Sequence, residues 1–217
     1  MALAIFDLDE TLIHGDCASL WSEHMADLQW VDRESFLGRE QELMALYAEG
    51  QLAMEDYMAY TLSPLVGRTP EEVDYVVGPF VEDIIEPIIY SDAMRCLATH
   101  RAAGDRLLII SASAHFLVSA IAERLGIAEV LAIDLEQQHG CYSGQTSGVL
   151  TYREGKVQRL NDWLTGEGES LDGAHFYSDS RNDLALLSLV EHPHTVNPDP
   201  TLRAHAEQQG WEILSWK

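Results

Sequence analysis

Asp7 and Asp9 are the residues of this chain best placed to do chemistry. They stand two apart, directly after the apolar run Leu3 to Phe6. In an extended segment residues i and i+2 point the same way, so both carboxylates leave the end of a buried strand together. Two such charges are costly to hold side by side unless a metal or a reaction requires them. A divalent metal with hard oxygen ligands, a nucleophile and a general acid/base would account for the pair. Thr11 follows two residues later.

Three further places carry matching chemistry. Ser111 follows the apolar run Leu107 to Ile110. Lys156, in Glu154-Gly155-Lys156, stands at the start of a predicted helix. The stretch Ser178-Asp179-Ser180-Arg181-Asn182-Asp183 follows the run Ala174 to Tyr177. All lie at strand ends or helix starts, where open α/β sheets bind their ligands. Lys156 is one of two lysines in the chain, the other being Lys217. A cation in the first turn of a helix runs against the helix dipole, which sets Lys156 apart from an ordinary solvated residue. Taken singly, Ser111 and Ser113 are also candidate helix N-caps, and Asp179 and Asp183 candidate capping or first-turn acids. The nine histidines show no HxxxH or HExxH spacing and read as scattered surface or core residues.

The elements that must position these residues alternate. Short apolar strands are predicted at Leu3–Asp7, Arg106–Ile110, Val130–Leu135, Ala174–Tyr177 and His194–Val196. Helices are predicted at Ser91–Ala103, with Ser91 as N-cap and Gly104 as stop, and at Ala114–Leu125, Lys156–Leu164 and Asp183–Val190. This rhythm implies a doubly wound parallel sheet with both faces covered. Two segments interrupt it. About ninety residues separate the first two strands, far more than one crossover needs. Their pattern is helical over Ala18–Leu28, Arg33–Ala48, Met54–Leu62 and Pro70–Ile85. The expected division is an α/β core of residues 1–14 and 88–217, with an all-helical cap of residues 15–87 over the end of the first strand. Residues 136–152 carry turn signals at Gly140, Ser143-Gly144 and Ser147-Gly148, and read as a hairpin at one edge.

Bulk properties narrow the function. The 217 residues suit one sizeable core, or a core with a smaller inserted unit. With 36 acids against 13 bases, the net charge of −23 argues against unaided binding to nucleic acid or anionic lipid. It leaves room for a small anionic substrate held by a metal, backbone N–H groups and a few placed cations. Three widely spaced cysteines, Cys17, Cys96 and Cys141, read as reduced thiols of a cytoplasmic protein. No signal peptide and no apolar run near the ~20 residues of a membrane span is seen.

In order along the chain, Asp7-x-Asp9-x-Thr11, Ser111, Lys156 and Asp179-x-x-Asn182-Asp183 resemble the motifs of the haloacid dehalogenase superfamily of phosphohydrolases. The resemblance covers nearly the whole chain. The helical insertion between the first two motifs, and the hairpin before Lys156, are similar to the phosphoserine-phosphatase-like branch. The resemblance implies an α/β core and a Mg²⁺-dependent phosphatase. Asp7 would be the nucleophile that forms an aspartyl-phosphate, and Asp9 the acid/base that protonates the leaving alcohol and then activates water. Asp7, the backbone carbonyl of Asp9 and Asp179 would hold Mg²⁺, with Asp183 and Asn182 supporting the metal and its waters. Ser111 would hydrogen-bond a phosphoryl oxygen, and Lys156 would neutralise charge on Asp7 and the phosphoryl group. Thr11 and Asn182 complete the expected substrate-binding set with Ser111 and Asp16.

The acid two residues after the nucleophile belongs to phosphatases and phosphomutases of that superfamily, not to its dehalogenases or ATPases. In phosphoserine phosphatases a Glu nine residues after the nucleophile meets the substrate amine; Asp16 stands there, one methylene shorter. An amino-alcohol phosphate such as phosphoserine or histidinol phosphate is the expected substrate class. Trp21, His24, Trp30, Phe36 and Tyr47 either meet a substrate ring or form the cap's own core. Arg33, Arg39 and Arg68 are candidate partners for a substrate carboxylate. The other readings are a phosphotransferase or mutase, a non-catalytic module, and a nucleic-acid phosphatase. The intact motifs disfavour the second of these and the charge disfavours the third.

Overall fold

A computed structural model of the chain describes residues 2–48, 51 and 53–217. Seven strands form one sheet in the order β4-β3-β2-β1-β5-β6-β7. They are β1 (Leu3–Phe6), β2 (Arg106–Ala114), β3 (Glu129–Gln138), β4 (Cys141–Ser147), β5 (His175–Ser178), β6 (His192–Val196) and β7 (Glu212–Leu214). Every neighbouring pair is parallel except β3 with β4. The chain winds outward from β1 in both directions, so the strand order reverses between β1 and β5. That is where an open α/β sheet presents a crevice at its C-terminal edge. The hairpin β3–β4 turns through His139 and Gly140, both at positive φ (52° and 81°), the conformation that matches the twist of a two-residue hairpin.

Side-chain alternation along β1 divides the core. Leu3 and Ile5 face one cluster with Leu108, Leu160, Leu164 and Phe176. Ala4 and Phe6 face the other, with Leu107 and Ile109. The first face is covered by α7 (Glu154–Glu167), α8 (Leu184–Leu187) and α9 (Pro200–Gln209). Over the second lie α5 (Ser91–Ala103) and α6 (His115–Leu125), and its cluster continues without a break into the helices between β1 and β2. These are α1 (Cys17–Asp27), α2 (Arg33–Ala48), α3 (Met54–Thr61) and α4 (Pro70–Phe80). The helical segment is tied to the hairpin by two backbone bonds, Gly67 N–H to Tyr142 O (3.0 Å) and Tyr142 N–H to Arg68 O (2.9 Å).

Several sequence expectations change in detail. Strand β2 does not stop at Ile110 but runs to Ala114 with a register shift, which puts Ser111 inside it. The helix after Pro70 leaves α geometry at Phe80 and passes through a wide turn, Val81–Ile85; Pro79, with no N–H to give, sits at the change. Tyr90, not Ser91, caps α5; the Ser91 hydroxyl instead donates to Lys217 O at 2.9 Å. In place of a helix over 183–190 there is a 3₁₀ turn, Arg181–Asp183, and the single turn of α8. Strand β7 and helix α9 were not anticipated.

The histidines are not all scattered. His175 and His194 hydrogen-bond at 2.9 Å, His192 stacks on His175, and His100 bonds Tyr177 Oη at 2.9 Å. Strand register alone gathers three of them, because positions i and i+2 of β5 and β6 share a face. No helix among the described residues is long and apolar enough to cross a membrane.

Candidate active site

The loop after β1 folds back at once. The N–H groups of Thr11 and Leu12 return to Leu8 O, and Glu10 N–H reaches Gly15 O. Asp7 is held in the sheet by its own N–H, which donates to Tyr177 O at 2.9 Å. Asp9 is fixed by two donors: Cys17 N–H to Oδ1 (2.7 Å) and the Ser113 hydroxyl to Oδ2 (2.8 Å). Burial raises the Asp7 carboxyl to about 6, with Lys156 opposing the rise. Burial and the neighbouring Asp16 carry Asp9 to about 7. A carboxyl raised in this way can hold or release a proton near neutral pH.

Lys156 reaches the same point from the first turn of α7. Its ammonium donates to Asp7 Oδ1 (2.8 Å) and Asp183 Oδ2 (2.9 Å), and is itself buried. Burial works against its charge, but Asp183 and Asp7 overcome that and hold it above the ordinary lysine value. Its entry depends on Gly155, where a Cβ would stand 1.9 Å from Leu150 O. The helix start can press against that carbonyl only with glycine there.

Asp179 and Asp183 come from the end of β5. The Ser178 hydroxyl donates to Asp183 Oδ2 at 2.7 Å. Thr11 Oγ1 donates to Asp179 Oδ1 (3.1 Å) and accepts the Asp179 N–H (3.0 Å). Burial, then Asp7 and Asp183, push the Asp179 carboxyl well above the usual carboxylate range.

A cavity of about 230 Å³ separates this cluster from α1, α3 and the N-terminus of α6. One side presents Asp7, Asp9, Lys156, Asp179, Asn182 and Asp183. From α1 and α3 come Trp21, Ser22, Tyr57 and Met58, and from α6 Phe116; Asp16, at the start of α1, stands beside Asp9. Asp16 both lines it and caps α1, its Oδ1 accepting Ser19 N–H at 2.7 Å. Asn182 Oδ1 meets Arg153 Nε at 3.2 Å at the rim.

Two expected substrate contacts are placed differently. Thr11 is fully buried behind Asp179 and does not line the cavity. Ser111 is also fully buried, its Oγ accepting Ser113 N–H at 3.1 Å; Ala112 and Ser113 line the cavity instead. The bend that carries β2 past Ile110 turns Ser113 toward Asp9. None of Arg33, Arg39 and Arg68 lines the cavity. Arg33 pairs with Asp27, Arg39 with Glu42, and Arg68 lies 3.6 Å over the Trp30 ring. Of the aromatic residues singled out, Trp21 lines the cavity, while Phe36 stacks on Tyr60 within the helical core. The side chain of Tyr47 lies outside the described part. Sequence reasoning missed Ser22, Tyr57, Ser113 and Glu40. For Glu40 a signal existed: it falls on the α2 stripe of Phe36 and Leu43, at i+4 and i+7 spacing, where an acid is out of place.

The donor set suits a hard divalent cation. Two carboxylates, Asp7 and Asp183, share one ammonium, and Asp9 and Asp179 line the same cavity. Asp183 Oδ1 lies 2.9 Å from that ammonium but takes no hydrogen bond and is buried. Carboxylate oxygens of this kind, completed by waters and a substrate phosphate, are the donors that Mg²⁺ takes.

Carboxylates at a topological switch point, a buried lysine between two of them and a cavity beside them mark the site of an α/β enzyme. The chain matches the haloacid dehalogenase-like hydrolase family over residues 4–188 and belongs to that family. It is a phosphatase of this family. It is 35% identical over 219 residues to a histidinol-phosphatase of Neisseria meningitidis serogroup C (strain 8013), covering 99% of both chains. It is 29% identical to a phosphoserine phosphatase of Mycobacterium tuberculosis (strain ATCC 25618 / H37Rv), covering all of this chain and 71% of the other. A crystal structure from Bordetella pertussis Tohama I, of a protein of unknown function, is 35% identical with a TM-score of 0.93, covering 98% of this chain and 97% of that one.

Proposed function

We propose that the chain is a Mg²⁺-dependent phosphomonoesterase that acts on a small amino-alcohol phosphate through an aspartyl-phosphate. The observation that carries this reading is the geometry around Asp7. Its carboxylate sits at the cavity, 2.8 Å from a buried ammonium, with Asp9 two residues on and held by two donors. Asp7 attacks phosphorus, and the bond to the leaving oxygen breaks. Asp9, whose pKa near 7 lets it hold a proton, gives that proton to the alkoxide. It then takes a proton from the water that releases phosphate from Asp7. Lys156 offsets negative charge on Asp7 and on the phosphoryl oxygens, since phosphoryl transfer asks chiefly for positioning and charge compensation. Asp7, the Asp9 carbonyl and Asp179 would hold Mg²⁺, with Asp183 and Asn182 supporting its waters. When bound, the metal supplies positive charge to the phosphoryl oxygens.

The helical segment of residues 15–87 acts as a cap that closes over the substrate, and the two backbone bonds at Tyr142 form its latch. Histidinol phosphate is the first substrate to test, given the relative that carries that activity in its name. Phosphoserine is the second. The setting is the cytoplasm, in keeping with three free cysteines. Phosphate release from both esters, measured with Mg²⁺ and for Asp7→Asn protein, tests the assignment. Phosphoryl transfer to added alcohols exceeding release to water would instead favour a phosphotransferase.

A further inference from the structure

Glu40 is a buried carboxylate, 5% exposed, with no cation paired to it among the described residues. Its Oε1 accepts the Ser22 hydroxyl at 2.9 Å and the Tyr57 hydroxyl at 3.4 Å. Both of those residues line the cavity from the cap side. Ser22 gives its single hydrogen to Glu40 and keeps only acceptor capacity for anything else. Asp16 lines the same cavity, and its Oδ2 has no hydrogen-bond partner among the described residues. This wall therefore offers acceptors and negative charge. The cavity lining holds one cation among the described residues, Lys156, and that is committed to Asp7 and Asp183.

Trp21 lines the same wall, 4% exposed, and gives it an aromatic surface. A buried Glu without a cation is costly, and an ammonium brought by a substrate would offset that cost.

We propose that Glu40, acting through Ser22 and together with Asp16, is the specificity-determining residue that selects phosphate monoesters whose far end carries a cationic nitrogen and no carboxylate. The inference rests on the phosphatase reading of Asp7 and Asp9. It goes further in separating two substrates that share an amine: a carboxylate beside that amine would face Asp16 and the Glu40 network with no cation to meet it.

The test uses the full chain with Mg²⁺ and two pairs of esters. Phosphoethanolamine and phosphoserine differ by one carboxylate. Histidinol phosphate and its N-acetyl derivative differ by one positive charge. Wild-type kcat/KM is expected to favour the first member of each pair by about tenfold to thirtyfold. That is the effect of one unit charge acting across roughly 8 Å at an effective dielectric of about 20. The N-acetyl penalty should fall mainly on KM. Glu40→Gln keeps shape and hydrogen bonding but removes the charge, and should shrink the N-acetyl gap about tenfold; Ser22→Ala should shrink it too. Equal or better turnover of phosphoserine than of phosphoethanolamine would overturn the proposal. So would an undiminished N-acetyl gap in folded Glu40→Gln protein or, if that variant does not fold, in Ser22→Ala protein. Hydrolysis of p-nitrophenyl phosphate by the wild type is followed in parallel. Its absence along with all other turnover would overturn the underlying phosphatase reading, whereas its presence with the wrong preference would overturn only the specificity proposal.

Discussion

Thr11 and Asp179 hold each other across 168 residues of chain: the Thr11 hydroxyl donates to Asp179 Oδ1 and accepts the Asp179 N–H. One hydroxyl thus fixes both the backbone and the carboxylate of the residue expected to face the metal. Thr11→Val should raise the Mg²⁺ concentration needed for half-maximal activity by about 10- to 100-fold, the usual cost of losing such a supporting contact. Thr11→Ser should stay close to the wild type. A Mg²⁺ titration of phosphate release checks both, and EDTA should stop the reaction until Mg²⁺ is restored.

Asp7 and Asp9 differ in what their loss should do. Asp7→Asn removes the proposed nucleophile, and turnover should fall below detection. Asp9→Asn leaves that nucleophile but takes away the proposed proton donor, and kcat should fall by about 10²- to 10⁴-fold. Phosphate release on one ester measures both, and substantial turnover by Asp7→Asn protein would reject the assignment.

Lys156 is buried between two carboxylates, so its role is structural as well as chemical. Lys156→Ala strands Asp7 and Asp183 without their shared cation. Breaking a buried pair in this way typically costs about 3–5 kcal/mol. Urea denaturation near neutral pH should show a loss of that order, together with loss of turnover.

The histidine cluster predicts how stability depends on pH. Burial, then His100, His194 and His192, depress His175 from 6.5 to about 4. Between those two pH values the unfolded chain binds a proton at this residue that the folded chain refuses. The His175 contribution to stability should therefore rise as pH increases from about 4 to about 6.5 and be lost over the same window as pH falls, against the opposite slope from Asp7 and Asp9, whose carboxyls are raised to about 6 and about 7. Thermal unfolding of wild-type and His175→Phe protein across that range should differ by this contribution.

Much of this was legible in the sequence, because it is local. An apolar run followed by two acids at i and i+2 sets the end of β1 and the common direction of Asp7 and Asp9. The predicted span of α2, Arg33–Ala48, is the one the structure has, and Gly104, the predicted stop, ends α5 in left-handed conformation. Local periodicity said less where tertiary contacts compete. The end of β2, the wide turn after Phe80 and the short α8 all depend on what packs against them.

Pairings between distant residues belong to the tertiary structure alone. Lys156 meets Asp7, 149 residues away, only because α7 packs on one face of the sheet with its first turn at the end of β1. Thr11 could not be told from a substrate ligand until β5 placed Asp179 against it. Ser111 and Ser113 exchanged prominence through a register shift that has no periodic signature. Glu40 looked like one acid among many on an acidic chain until packing buried it behind Ser22. Residue type and spacing determine which groups an element carries and which way they leave it; only the folding of several elements onto one another decides which of those groups lose water together, and that loss shifts their pKa values and sets their partners.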